Sequence, residues 1–223
     1  MNKKIIVVIL LLAVIIIGGV IVVVINKEKG QNDLLTSEIN ALSPENTNTD
    51  VKTTGQYAIV EKLIKEDYKL YIESTNTLRA NYEKLAQVKV INLDNFEKDG
   101  PEFAESLKLL NGIKEENAAL IGKLEEIVDD AKIQEKISAN GLEDRFATMY
   151  KDILGQINLK QGIEHIKESD AKYGQYNDSL ITVLNYMKEN KNEWFIENNT
   201  LKSHSQNFID EYNKLVEATN IEL

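Results

Sequence analysis

The residues that come nearest to a metal or acid–base site are four carboxylates, Glu125, Glu126, Asp129 and Asp130, and two histidines, His165 and His204. On a helix the carboxylates would fall on adjacent rows of one face and hold Ca²⁺ weakly at the surface. They lack the turn glycine and alternating ligand spacing of a Ca²⁺ loop. A solvated acidic face is therefore the expectation. Neither histidine has metal-ligand spacing: Gly162 stands three residues before His165 and Leu201 three before His204, where a di-metal bundle would carry Glu-x-x-His.

Nucleophilic and phosphate chemistry are equally short of residues. The chain has no cysteine, hence no disulfide, no thiolate ligand and no cysteine nucleophile. No G-x-S-x-G elbow, P-loop or dinucleotide fingerprint occurs. The expectation is a protein without enzymatic activity, cofactor or metal.

Binding chemistry has better material. Tyr173, Tyr176, Tyr186, Trp194, Phe195, Phe208 and Tyr212 are seven of the fifteen aromatic residues, all within the last 51 positions. Trp194 and Phe195, beside a suspected helix break, together with Tyr173 and Tyr176, are the candidate contacts for a ligand or partner. Aromatics at helical spacing also fill cores, and that is the competing expectation.

The elements that must carry these residues are helical. Tyr57, Val60, Ile64, Tyr71, Leu78, Leu85 and Val88 recur on three- and four-residue steps, the seam of an amphipathic helix. Thr53 followed by Gln56 predicts its capping box. Glu61 and Lys65 form an i,i+4 pair expected on the wet face, and Asp67, Ser74 and Asn81 interrupt the seam, expected to face solvent on a drifting stripe. Residues 89–100 read as a loop. Pro101 opens a second series running from Phe103 to Ile137, and Asn140-Gly141 ends it.

A third series starts near Leu142, and Gly155, Gly162 and Gly174 predict a kink or break between 155 and 175. A fourth, from Tyr176 to Met187, and a fifth, from Leu201 to Val216 after Asn198-Asn199, complete the chain. Strict alternation is absent, so the fold class is all-α: an elongated four- or five-helix bundle with coiled-coil-like packing, over 56–223.

Ahead of this body, 21 consecutive residues from Ile5 to Ile25, through Leu12, Gly18 and Gly19, carry neither charge nor a side-chain hydrogen-bonding group. As a helix they would span ~31 Å at ~1.5 Å per residue, matching a hydrocarbon core of ~30 Å. The run is too long for a signal-peptide core, and no small-x-small site follows it. Residues 1–25 are thus expected to be an arm and transmembrane anchor, with the lipid bilayer as partner. Residues 26–55, rich in Asn, Thr, Ser and charge, are expected to form a polar flexible tether. Lys3 and Lys4 balance Lys27 and Lys29, so the short arm favours the body lying outside the membrane.

The chain of 223 residues has a net charge of −10, with +3 in residues 1–29 and −13 beyond. That acidity opposes nucleic-acid binding. Lys outnumbers Arg 24 to 2, a bias of A+T-rich bacterial codons. The order of span and helical body is similar, at the level of architecture alone, to the periplasmic helical sensor modules of chemoreceptors. Those return through a second transmembrane helix, and no second apolar run follows here, so no residue roles carry over. The leading expectation is a membrane-anchored extracytoplasmic protein that binds an envelope protein or self-associates. The alternatives are a ligand-binding or sensing module using the C-terminal aromatics, and a cytoplasmic-facing tethered scaffold.

Overall fold

The computed structural model describes residues 29–221. Eight helices and one hairpin occupy them: α1 (Lys29–Asn40), α2 (Gly55–Gln87), α3 (Leu93–Asp99), α4 (Ala104–Val128), α5 (Asp130–Ala139), α6 (Asp144–Gln156), α7 (Leu159–Glu189), β1 (Trp194–Ile196), β2 (Leu201–Ser203) and α8 (Gln206–Glu217). The chain is predominantly helical. Among the described residues no helix is long and apolar enough to cross a membrane. The anchor expected over 5–25, with Ile5, Leu12, Gly18, Gly19 and Ile25, lies outside the described residues.

The described chain divides into two compact units, residues 29–78 with 120–167 and residues 79–119 with 168–221. In the first, the reading of 26–55 as a tether is corrected from Lys29 onward. Helix α1 buries Leu35 and Ile39, and Leu42 and Thr53 are buried after it. Too short to be stable alone, α1 is held by tertiary contacts that its polar composition conceals. The capping box is corrected as well: Thr53 turns its hydroxyl to Glu61, and Gln56 reaches Gly141 O and Glu143 N instead.

On α2 the Glu61–Lys65 pair expected on the wet face is buried instead. Glu61 and Lys65 are 0% and 2% exposed, so their pair faces the interior. Lys65 Nζ donates to Glu61 Oε1, Glu38 Oε2 and the Asp50 carbonyl, each at 2.7 Å. Glu61 Oε2 accepts from Thr53 N, Thr53 Oγ1 and Lys52 N. Burial alone would raise the Glu61 carboxyl, but Lys65 and the Thr53 and Lys52 donors overcome it and hold the pKa below its ordinary value. Burial likewise opposes the charge on Lys65, and Glu38 and Glu61 outweigh it, raising that pKa. Asp67, Ser74 and Asn81 are buried rather than solvated. Asp67 accepts from Tyr150 Oη at 2.5 Å and from Lys136 Nζ.

Helix ends follow local chemistry closely. After α5, Gly141 takes φ +61°, its N–H bonds to Ser138 O and the Leu142 N–H to Ile137 O. This is the paired-bond termination that a glycine without Cβ permits. Asp129 caps α5 by accepting from Lys132 N, which cuts the expected second helix into α4 and α5. The break foreseen between 155 and 175 falls at Ile157-Asn158, where Asn158 has φ +54°. Gly174 lies inside α7 without a break, so the end of the third series, with Ile163 and Ile166, joins the fourth in one helix of 31 residues. These cuts, with α1 and α3, account for eight helices where four or five were expected.

In the second unit a two-stranded hairpin stands between the fourth and fifth series and takes up Leu201, expected to open the fifth as a helical residue. Trp194 pairs with Ser203, Phe195 with Lys202 and Ile196 with Leu201. Glu197 and Thr200 exchange backbone bonds around Asn198 and Asn199, whose φ values are +53° and +55°. Two positive-φ residues make the tight turn whose twist suits a hairpin, and asparagine accepts that conformation better than most residues.

Candidate functional site

The strand β1 separates the two leading candidate residues. Successive side chains on a strand point to opposite faces, so Trp194 and Phe195 diverge. Trp194 turns inward: its ring centroid lies 6.0 Å from that of Phe96 and 6.1 Å from that of Phe103, and its Nε1 donates to Met187 O at 2.8 Å. Phe195 lies with its ring 4.8 Å from that of His204. Tyr173, 2% exposed, stacks on Tyr82 at 4.2 Å with 9° between the rings. Tyr176 is half-buried, and burial pushes its phenol pKa up.

The four are therefore not gathered into one site. Tyr173 is buried, and Trp194, half-buried, packs its ring on Phe96 and Phe103. Around Tyr173 the packing continues as a polar cluster. Tyr82 Oη donates to Asp170 Oδ1 at 2.8 Å, Asn117 Nδ2 to the same oxygen at 3.1 Å, and Asn81 Nδ2 to Asn117 Oδ1 at 2.9 Å. Burial first, then the Asp170 charge, drives the Tyr82 phenol far above its ordinary range. An acceptor that keeps a buried phenol protonated is a structural fastening.

What the second unit does present is a groove of 380 Å³ between α3, the hairpin turn and α8. Leu93, Phe96, Leu201, Ile209 and Tyr212 supply its apolar and aromatic surface, and Asn92, Asn199, Thr200 and Asn213 its polar groups. Each element delivers its residues by local rules. Asn92 caps α3 by accepting from Asn95 N at 2.8 Å, which sets Leu93 and Phe96 one turn apart. The Asn198-Asn199 turn presents Asn199 and Thr200, and register places Leu201 behind them. On α8, capped by Ser205, Ile209, Tyr212 and Asn213 recur at three- and four-residue steps on one face. Beneath them Phe96 meets Phe103 and Tyr212 edge-on, at 5.6 and 6.3 Å.

The nine lining residues contain no charge. A wider groove of 680 Å³ in the same unit contrasts with it, because Lys84, Glu105, Lys108, Glu115 and Glu116 are five of its nine lining residues.

The sequence reading missed Leu93 and Phe96 because 89–100 looked like a loop. The signal was present in Asn92, a capping residue ahead of a short apolar turn. The four-carboxylate group does not act together: Asp129 caps α5 and Glu125 pairs with Lys167 at 2.7 Å. Among the described residues no group of three or more His, Asp or Glu is placed to hold a metal. Compared with known proteins, the chain matches no family model, no curated protein and no solved structure.

Proposed function

We propose that this chain is a membrane-tethered helical binding module of the bacterial cell envelope, anchored by residues 5–25 with its body extracytoplasmic. It works by holding a ligand, not by turning one over. The observation that carries the reading is the uncharged groove formed by Phe96, Tyr212 and the hairpin turn. Its volume lies within the roughly 300–1,000 Å³ typical of small-molecule sites, and it combines an apolar floor with a few polar groups. In a chain with 28% charged residues, such a lining sets this surface apart from its surroundings.

A scaffold or obligate self-associating protein would need a broad docking face. Among the described residues, Val51 alone is an exposed large hydrophobic, at 39%, which favours a ligand groove over an extended apolar interface.

Two measurements test the reading. A C-terminal tag on the full chain is expected to be digested by protease in intact cells, and protection until lysis would place the body in the cytoplasm. A small-molecule fraction of envelope extract is expected to raise the melting temperature of the full chain and leave an Ile209→Asp variant unmoved, because only a competent groove transmits occupancy into stability. Equal response of both proteins would refute the groove as the working surface.

A further inference from the structure

We infer that the groove of the second unit takes a neutral saccharide unit, a proposal that rests on reading that groove as the binding surface. A pyranose is amphipathic in a particular way: its C–H faces want apolar or aromatic surface, and its rim of hydroxyls wants paired donors and acceptors. The floor of Phe96, Leu201 and Ile209 offers the first. The rim offers the second, because a carboxamide presents a donor and an acceptor side by side, and three carboxamides line this groove.

Those rim groups have capacity to spare. Asn92 spends its Oδ1 on the cap of α3 and keeps its Nδ2. The side chains of Asn199 and Asn213 and the hydroxyl of Tyr212 bond to none of the described residues. Burial raises the Tyr212 phenol, so it remains a neutral donor. The lack of any lining charge argues against an anionic or cationic ligand, which would be desolvated there without a counter-charge. It also argues against a charged peptide. Polar groups around an apolar floor distinguish the groove from one built for a purely apolar ligand, which would make no use of its three amides.

Trp194, the single tryptophan of the chain, lies against Phe96 beneath the groove and reports on its occupancy. The experiment is a titration of the full chain in mild detergent, following Trp194 emission. The probes are N,N′-diacetylchitobiose as neutral disaccharide and cellobiouronic acid as anionic control. Saturable change with the neutral sugar is expected, with weaker response to the acid. Asn213→Leu, at an exposed position, and Tyr212→Phe are each expected to weaken binding about tenfold, with circular dichroism establishing that both variants fold.

No saturable change up to about 10 mM sugar, a regime of only a few kcal/mol of binding, would overturn the proposal. So would equal affinity for the anionic disaccharide, or binding that both variants leave unaltered. An apolar naphthalene dye separates the two readings. A dye bound by wild type, lost in Ile209→Asp and not displaced by sugar would overturn the saccharide while sparing the groove.

Discussion

Lys65 and Glu61, one helical turn apart on α2, form an ion pair of 2.7 Å whose side chains are 3% and 0% exposed. Two charges withdrawn from water cost several kcal/mol each unless other partners share the burden. Here Glu38, the Asp50 carbonyl, Thr53 and the Lys52 N–H are those partners. Glu38 lies on α1 and the other three between α1 and the start of α2, so the pair fastens residues 29–54 to the helix that follows.

Removing one member of this pair is expected to cost about 3–5 kcal/mol, because the other charge is left buried without its counter-ion. Lys65→Met should show that loss in urea unfolding of the full chain followed by circular dichroism. The double variant Glu61→Leu/Lys65→Met should recover part of it. A single variant within about 0.5 kcal/mol of wild type, the usual scatter of surface substitutions, would contradict the buried pairing.

Acid should loosen the same fastening. Glu61 has a lowered pKa in the folded state, against an ordinary value of 4.5. Its contribution is therefore fully present above 4.5 and lost as pH falls from there through the folded value. Unfolding free energies measured from pH 7 down to 3 should decline over that window, and the decline should shrink in Glu61→Gln.

Alkali acts through the tyrosines. Burial, with Asp67 and Asp170 as acceptors, raises the phenols of Tyr150 and Tyr82 well above 10.0, and burial first among its causes pushes Tyr68 up to about 12. Groups with raised pKa stabilise the fold below their unfolded value and lose that contribution as pH rises through the folded one. Phenolate absorbance should therefore appear only above pH 10, and that of the buried tyrosines together with unfolding. Smooth titration of all nine tyrosines near pH 10 would refute this environment.

The Tyr150–Asp67 contact should be worth about 1–3 kcal/mol, the cost of leaving a buried carboxylate oxygen without one of its donors. Tyr150→Phe tests this with little change in shape. Asp67→Ala should cost more, since it strands the Tyr150 hydroxyl and removes the partner of Lys136.

At the hairpin turn, Asn198→Ala/Asn199→Ala should destabilise by less than about 1 kcal/mol per residue, because both residues carry the Cβ that a left-handed backbone crowds and alanine lacks only the local hydrogen bonding of asparagine. Asn199→Gly should be neutral or stabilising. Hydrogen exchange of the Glu197 and Thr200 amides, which bond each other's carbonyls, reads the turn directly.

Much of the helical framework was legible beforehand, and for a physical reason: propensity, capping and periodicity act over a few residues. Asn140-Gly141 ended a helix, Pro101 stood just ahead of one, and a break fell between 155 and 175. Asn198-Asn199 marked an interruption, although strands of three residues are too short for alternation to disclose a hairpin.

The environment of the polar residues was not legible. An i,i+4 pair such as Glu61–Lys65 has the same spacing on a wet face and a buried one. Asp67, Ser74 and Asn81 interrupt an apolar seam identically whether water or a Tyr hydroxyl, a Lys or an Asn completes them. The aromatics were recognisable by type but not by role, since Trp194 packs on Phe96 and Phe103 while Tyr212 borders the groove. By itself the sequence determined helicity, some helix ends, acidity and the apolar run at 5–25, all properties of local composition and spacing. The tertiary structure decided which charges are buried, that residues 29–54 are packed, and which surface is uncharged and concave, because burial is conferred by segments that meet only after the chain has folded.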